Sequence, residues 1–358
     1  HSIVDEIKMG FISLPKGCYI KLEKKAQKAI LDNIKAHFYS KNGLLERIKY
    51  FKEESGLELT LSNFLNFHKL PISLIYGKKN TFSRLCFEAE VLDNYSEAIE
   101  DRIATAFAKL ASLDSRRLLD FLLKELPNLD NWQWDSFSNI EKRMINMFSI
   151  TMWPERLEKW TASEGYNFVK SLKNYPVLFK ELLELLSYQK EKIDFVDIET
   201  DLFIDCPLDV YSSYTRDQLL VAMDFFTPAN VREGVKWLEN INTDVFMVTL
   251  NKSDKDYSPS TMYEDYSINE DLFHWQSQST TSEDSKVGQR YINHVSMNTN
   301  VLLFVRDFKK NALGTTPYTF LGPVEYVSHT GSKPMSIIWK LRYPIPAKYL
   351  KKTNKLIA

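Results

Sequence analysis

Hydrophobic positions follow a helical period through the first half of the chain and a strand period through the second. From Tyr19 to Tyr39, Leu22, Ala26, Ala29, Ile30, Ile34 and Phe38 fall on one face, and Asn42-Gly43 closes the segment. A second helix is expected over 43–54, ended by Gly56. Further helices are expected over 95–112, 116–126, 138–152, 163–173 and 176–188, with Ser115 as an N-cap and Pro176 in a first turn. Residues 57–85 read either as a helix-turn-helix or as two packed helices with a basic loop (Lys78, Lys79, Arg84), and no strong signature separates the two. Ahead of these, Met9–Leu14 is a short strand-like run closed by Pro15.

The pattern changes beyond residue 191. Residues 194–205 are acidic, and Pro207–Ser213 reads as a linker. A helix over 215–226 leads into short runs rich in β-branched and aromatic residues. Strands are expected over 244–250, 271–278, 289–294, 301–306, 318–322, 324–328 and 335–342. Short strands separated by polar turns favour a small closed or nearly closed barrel over a parallel sheet. The expected fold class is therefore α+β with two or more domains: an all-α helical domain over 1–206, a linker helix over 207–228 and a β-barrel over 229–358.

Composition adds three points. The apolar fraction of 44% and charged fraction of 26% are those of an ordinary soluble protein, and no apolar run reaches the length of a membrane span. Cys18, Cys86 and Cys206 are far apart, which argues against a disulfide framework and for a reducing, cytoplasmic setting. The net charge of −1 hides an uneven distribution: residues 301–358 carry ten Lys/Arg against Asp307 and Glu325, a balance of +8 that suits a polyanion. The chain opens His1-Ser2 without a methionine, which suggests a fragment of something longer.

Catalytic signatures are not found. The sequence has no P-loop, no paired-histidine zinc motif, no G-x-S-x-G elbow and no histidine followed two residues on by lysine. Asp254 and Asp256 flank Lys255 in what reads as a solvated turn. Signals for binding are richer. Asn251, Lys252, Ser253, Tyr257 and Tyr263 lie in a polar, aromatic segment between two strands. Trp275, Gln276 and Gln278 follow, with Trp275 and Ser277 expected on one strand face and His274, Gln276 and Gln278 on the other. Gln289, Arg290, Asn293 and Arg306 complete the set. Amides and hydroxyls read base edges, Lys and Arg hold phosphates, and aromatics stack or wedge. His329–Lys333 reads either as a phosphate-holding turn through Lys333 or as a plain hairpin turn. Taken singly, each of these residues also reads as core or wet surface.

The strings R-E-G-V-K-W-L (232–238), F-x-V-T-L-N-K-S (246–253), D-Y-S-P-S-T-M-Y-x-D-Y (256–266), L-F-H-W-Q-S-Q-S-T-T (272–281), G-Q-R-Y-I-N-H (288–294) and Y-T-F-L-G-P (318–323) are specific. They resemble the C-terminal domain of bacterial superfamily II helicases of restriction or phage-defence type, and L-P-K-G-C-Y-I-K-L (14–22) resembles the text just after the motor. The resemblance implies a phospholipase-D-type nuclease and a helicase motor upstream. ATP and Mg would serve that motor, and no cofactor is expected in this chain. The barrel is similar to pseudobarrel DNA-recognition domains that clamp the major groove with two loop arms, which would lie near 251–263 and within 306–333. The implied partners are double-stranded DNA, the upstream domains and a further protein subunit, with no membrane. Two other readings stay open. One is a modified-base reader with an aromatic cage of Trp275, Tyr291, Phe320 or Trp339. The other is a protein-interaction scaffold.

Overall fold

The computed structural model of the chain describes residues 39–77, 79–200, 202–203, 205–251 and 265–350. The expected strand at Met9–Leu14, the helix from Tyr19 up to Phe38, Lys78, the Asp254–Asp256 turn, Lys252, Ser253, Tyr257, Tyr263, Lys351, Lys352 and Lys355 lie outside the described residues. The chain divides into two compact units. The first holds the described residues up to Leu74 together with Phe82–Ser96, and the second holds Ile75–Thr81 and everything from Glu97 onward.

In the first unit, α1 (Lys41–Ser55) buries Leu44, Ile48 and Phe51. Ser40 caps its start, and Gly56 at φ 70 closes it in the left-handed region that glycine tolerates. α2 (Leu61–His68) is capped by Thr60 and packs Phe64 edge-on against Phe51 at 5.8 Å. α4 (Phe82–Glu88) also belongs to this unit, whereas the short α3 (Ser73–Tyr76) has its first two residues here and its last two in the second unit.

The helical part of the second unit contains α5 (Glu100–Leu110), α6 (Arg116–Glu125), α7 (Asn139–Met152), α8 (Ala162–Ser171) and α9 (Pro176–Glu191). Two expected local signals hold: the Ser115 hydroxyl accepts from the Leu118 N–H, and Pro176 opens α9. α7 carries a reciprocal capping box between Ser138 and Glu141. The carboxylate of Glu97 accepts from the N–H groups of Val177 and Leu178 at 3.0 Å each, which satisfies the first turn of α9.

The stretch expected as a linker is structured. β1 (Ile198–Glu199) pairs with β2 (Asp209–Val210), and β3 (Ser213–Tyr214) joins the main sheet beside β11 (Tyr318–Thr330). This segment is fastened to α6. Arg117 donates to both carboxylate oxygens of Asp209, at 2.7 and 3.3 Å, and to the Cys206 carbonyl. The Ser213 N–H donates to Asp114 at 2.6 Å. α10 (Arg216–Ala222) lies against α7, and Gln218 donates to Thr151 there.

Burial raises the carboxyl groups of Asp114 and Asp209 to about 6. A carboxyl whose folded value lies above its unfolded one binds its proton more tightly in the fold. Its contribution therefore stabilises at low pH and is lost as pH rises through about 6. Asp114→Asn keeps an acceptor for the Ser213 N–H and removes the charge. The stability difference between Asp114→Asn and the parent, from urea unfolding, should move in the variant's favour between pH 5 and pH 7.5. A difference that does not change with pH would refute this.

The main sheet runs β4 (Val235–Leu238), β5 (Thr243–Thr249), β8 (Asn300–Arg306), β11, β12 (Ser336–Leu341), β7 (Leu272–Gln276), β6 (Tyr266–Ser267). All its ladders are antiparallel except β5–β8, which is parallel. The expected closed barrel is corrected: β4 and β6 are the two edges, and no ladder joins them among the described residues. The sheet nevertheless curls strongly. β5 and β7 are four strand spacings apart, about 19 Å in a flat sheet at roughly 4.8 Å per step. Yet the rings of Phe246 and Trp275 stack with centroids 4.0 Å apart. The concave side thus wraps its own core of Phe246, Val248, Phe273, Trp275, Val301, Leu303, Ile337 and Trp339.

Two strand expectations change. Residues 289–294 are mostly helical: α11 (Lys286–Asn293) starts at an N-cap, Ser285, and buries Gly288 and Tyr291. Residues 318–322 and 324–328 belong to one 13-residue strand, β11. Gly322-Pro323 lies at a register irregularity within it. Gly322 sits at φ +91, where a Cβ would come within 2.8 Å of the Tyr343 ring, and the register shifts there as β11 turns from β8 toward β12.

Candidate nucleic-acid interface

β5 and β8 are parallel and in register from Thr243↔Asn300 to Thr249↔Arg306, so both chains leave the sheet at the same end. The Leu250 N–H donates to the Arg306 carbonyl at 2.9 Å, and the Asn251 N–H donates to the Asp307 carbonyl at 2.8 Å. Asn251 itself is exposed. Asn251 and the start of the loop at residue 307 therefore lie side by side.

That loop is a small hairpin, β9 (Lys310–Asn311) and β10 (Gly314–Thr315). Its tip is set by the Asn311 side chain, which accepts from the Leu313 N–H at 2.9 Å. Its root is set by Arg306. That guanidinium donates to Thr249 Oγ1 at 2.9 Å and to the Thr316 carbonyl at 3.0 Å, and it lies 4.2 Å over the Tyr318 ring. Arg306 is 7% exposed. The structure thus places this expected DNA contact at the root of the hairpin, facing inward. Phe308, Lys310, Asn311, Ala312, Gly314 and Thr315 of the hairpin are exposed, none of them among the expected contacts. The polar run D-F-K-K-N-A-L-G-T-T, with its Asn and Gly turn residues, is the signal that marks it.

A second polar neighbourhood forms around residues 278–283. The Gln278 side-chain Oε1 accepts from the Thr281 hydroxyl at 3.2 Å, and the Thr281 backbone carbonyl accepts from the Lys333 N–H at 3.1 Å. The Glu283 N–H donates to the Ser332 hydroxyl, and the Glu283 carbonyl accepts from the Gln289 amide at 3.0 Å. Asn293 donates to Gln289 one turn further on. Gln289, Asn293 and Lys333 are exposed, and Gln278 is half-buried. The turn 329–333 suits an anion poorly. The Lys333 N–H is already engaged, and the Glu283 carboxylate stands 3.5 Å from His329 Nε2.

These two neighbourhoods are far apart. α11 is tied to the beginning of β5 through Arg290, whereas Asn251 and the hairpin lie beyond its end. Six residue steps at about 3.3 Å put roughly 20 Å between the ends of that strand. The expected surface is therefore two separate polar regions.

Trp275 and Arg290 belong to neither, because both point inward. Trp275 is 4% exposed and contacts Phe246, Tyr291 and Trp339. The expected alternation is seen: Phe273, Trp275 and Ser277 are buried, while His274, Gln276 and Gln278 are half-buried. The Gln276 N–H donates to Asp265. Arg290 donates two hydrogen bonds to Asp244, at 2.7 and 2.9 Å, and lies 4.2 Å over the Trp237 ring. Burial pushes the Asp244 carboxyl up, and the hydrogen bonds and charge of Arg290 oppose that shift.

His294 is a further interior fastener that the sequence reading missed. Its Nε2 accepts from the Tyr326 N–H at 3.0 Å, next to the irregularity in β11, and its Nδ1 lies 3.3 Å from the Thr299 carbonyl. Burial holds this imidazole below its ordinary value, so it stays neutral and keeps Nε2 free to accept.

Among the described residues no group of three or more His, Cys, Asp or Glu side chains is arranged to hold a metal ion. No helix among them is long and apolar enough to cross a membrane. No curated protein matches the chain. Residues 208–352 match a family model described as "Domain of unknown function (DUF3427)", and the match begins one residue before β2 and covers the whole curled sheet.

Proposed function

We propose that the curled sheet, together with the helices it is built onto, is a duplex-DNA-binding module of an ATP-dependent helicase of restriction or phage-defence type. ATP and Mg would act on the upstream motor, and the module would work in the cytoplasm. The observation that supports this reading is the pairing of Asn251 with Asp307 at one end of the sheet, where the Asp307–Thr316 hairpin begins. Two elements leaving one sheet end side by side suit a grip on a groove and its flanking phosphates. The basic balance of residues 301–358 favours the same partner.

A modified-base reader is supported less well. Trp275, Tyr291, Phe320 and Trp339 are all buried, and three of them pack on one another, so a flipped base would have to displace core rings.

The test is fluorescence anisotropy of the whole chain with unmodified and cytosine-methylated duplex pools across a salt series. The whole chain is needed because Asp209 and Ser213 are held by Arg117 and Asp114. Tight binding to unmodified duplex that weakens steeply with salt is expected. Binding confined to the methylated pool would establish the base reader instead. Absence of binding to both would overturn the proposal and leave the scaffold reading, with its partner subunit.

A further inference from the structure

The hairpin from Asp307 to Thr316 combines three properties. First, it is rigidly rooted. Arg306 fastens both of its strands' bases, through its own backbone and through the Thr316 carbonyl, and Asp307 is paired to Asn251. Second, it exposes cationic and amide side chains, Lys310 and Asn311. Third, Phe308 stands at its base with 59% of its surface exposed. It is the one large apolar side chain exposed between residues 300 and 320, all of which are described.

A protein partner would match these features poorly. Cores of protein interfaces are depleted in lysine and need a broader apolar patch than one ring. An isolated aromatic beside lysines matches proteins that press an apolar wedge against a base step while cations neutralise the flanking phosphates.

We propose that this hairpin is the gripping element of the module. Lys310 takes a backbone phosphate of duplex DNA, and Phe308 wedges against a neighbouring base step and partly unstacks it. This rests on the duplex-binding reading above and names the residues that would carry it. Arg306 is a positioning residue here, since it holds the hairpin without touching the ligand.

The experiment uses the full chain and one short mixed-sequence duplex, unmodified or with 2-aminopurine placed at successive steps. Wild type should bind and raise the 2-aminopurine fluorescence at one or two adjacent steps. Phe308→Ala should weaken binding about tenfold, abolish that rise and leave the salt dependence unchanged. Lys310→Ala should lower the slope of log affinity against log salt by about one. Both side chains are exposed, so unchanged melting curves confirm that the variants fold. If wild type binds and Phe308→Ala binds equally with the fluorescence rise intact, the wedge is overturned and the module reading stands. A lysine effect without a phenylalanine effect also overturns it. If wild type binds no duplex at any salt, both fall.

Discussion

Arg290→Ala is expected to destabilise the protein by about 3–5 kcal/mol, a loss typical of a buried ion pair broken on one side. The Asp244 side chain is 0% exposed and that of Arg290 is 12% exposed, so removing the guanidinium leaves a carboxylate without charge or water to balance it. The Trp237 ring loses its stacked cation in the same step. Urea unfolding monitored by circular dichroism would measure the loss. Replacing both members with apolar residues, Asp244→Leu with Arg290→Met, should be less damaging than Arg290→Ala alone, because no charge is then stranded. If Arg290→Ala stays within about 1 kcal/mol of the parent, the pair contributes little, and Arg290 becomes available again as a DNA contact. Weaker DNA binding by Arg290→Ala would not by itself identify a contact, since partial unfolding produces the same result.

Trp275→Ala should cost a comparable amount, about 3–5 kcal/mol, as expected for an aromatic ring removed from a close-packed core. Trp275 stacks on Phe246 across the mouth of the curl and meets Tyr291 edge-on at 5.6 Å, so its loss opens a cavity that rigid strands cannot fill by collapsing. Thermal unfolding would show the change, and Trp275→Phe should retain most of the stability. A Trp275→Ala variant that melts with the parent would mean that the ring packs loosely, as the wall of a base-binding cage would.

The parts of the fold that were legible in the sequence rest on local physics. Ser115 and Pro176 announce helix starts because the groups they satisfy lie within one turn. Phe273, Trp275 and Ser277 alternate with His274 and Gln276 because a strand has two faces. The misread parts depend on distant partners. Residues 289–294 have strand-like composition, yet Asp244, 46 positions away, and the concave sheet face make a helix there the better arrangement. Gly322-Pro323 looks like a turn, but β8 and β12 on its two sides keep the chain extended. Pro207–Ser213 looks like a linker until Arg117 and Asp114 are brought to it. Barrel closure was likewise a question of whether β4 meets β6, which no local pattern records.

The same limit applies to the candidate site. Burial decides which Arg or Trp remains available, and burial is a property of the assembled sheet. Asn251, Gln289, Asn293 and Lys333 are exposed as solvated polar residues usually are, whereas Trp275, Arg290 and Arg306 were claimed by the interior. Phe308 carries no sequence signal of its exposure, because a phenylalanine in sequence ordinarily reads as core.

The parallel pairing of β5 with β8 bears on how the chain is made. β4 and β5 can close as a hairpin as soon as both are synthesised, but the other edge of β5 waits for β8, about fifty residues later. Until then, the nascent chain displays an open edge beside Phe246, Val248 and Leu250, a segment prone to pair with other chains. Closing so long a loop also makes this docking a slow step. Slowing translation between residues 250 and 300 should therefore favour insoluble product, and holdase chaperones that bind nascent chains should have their greatest effect over that window.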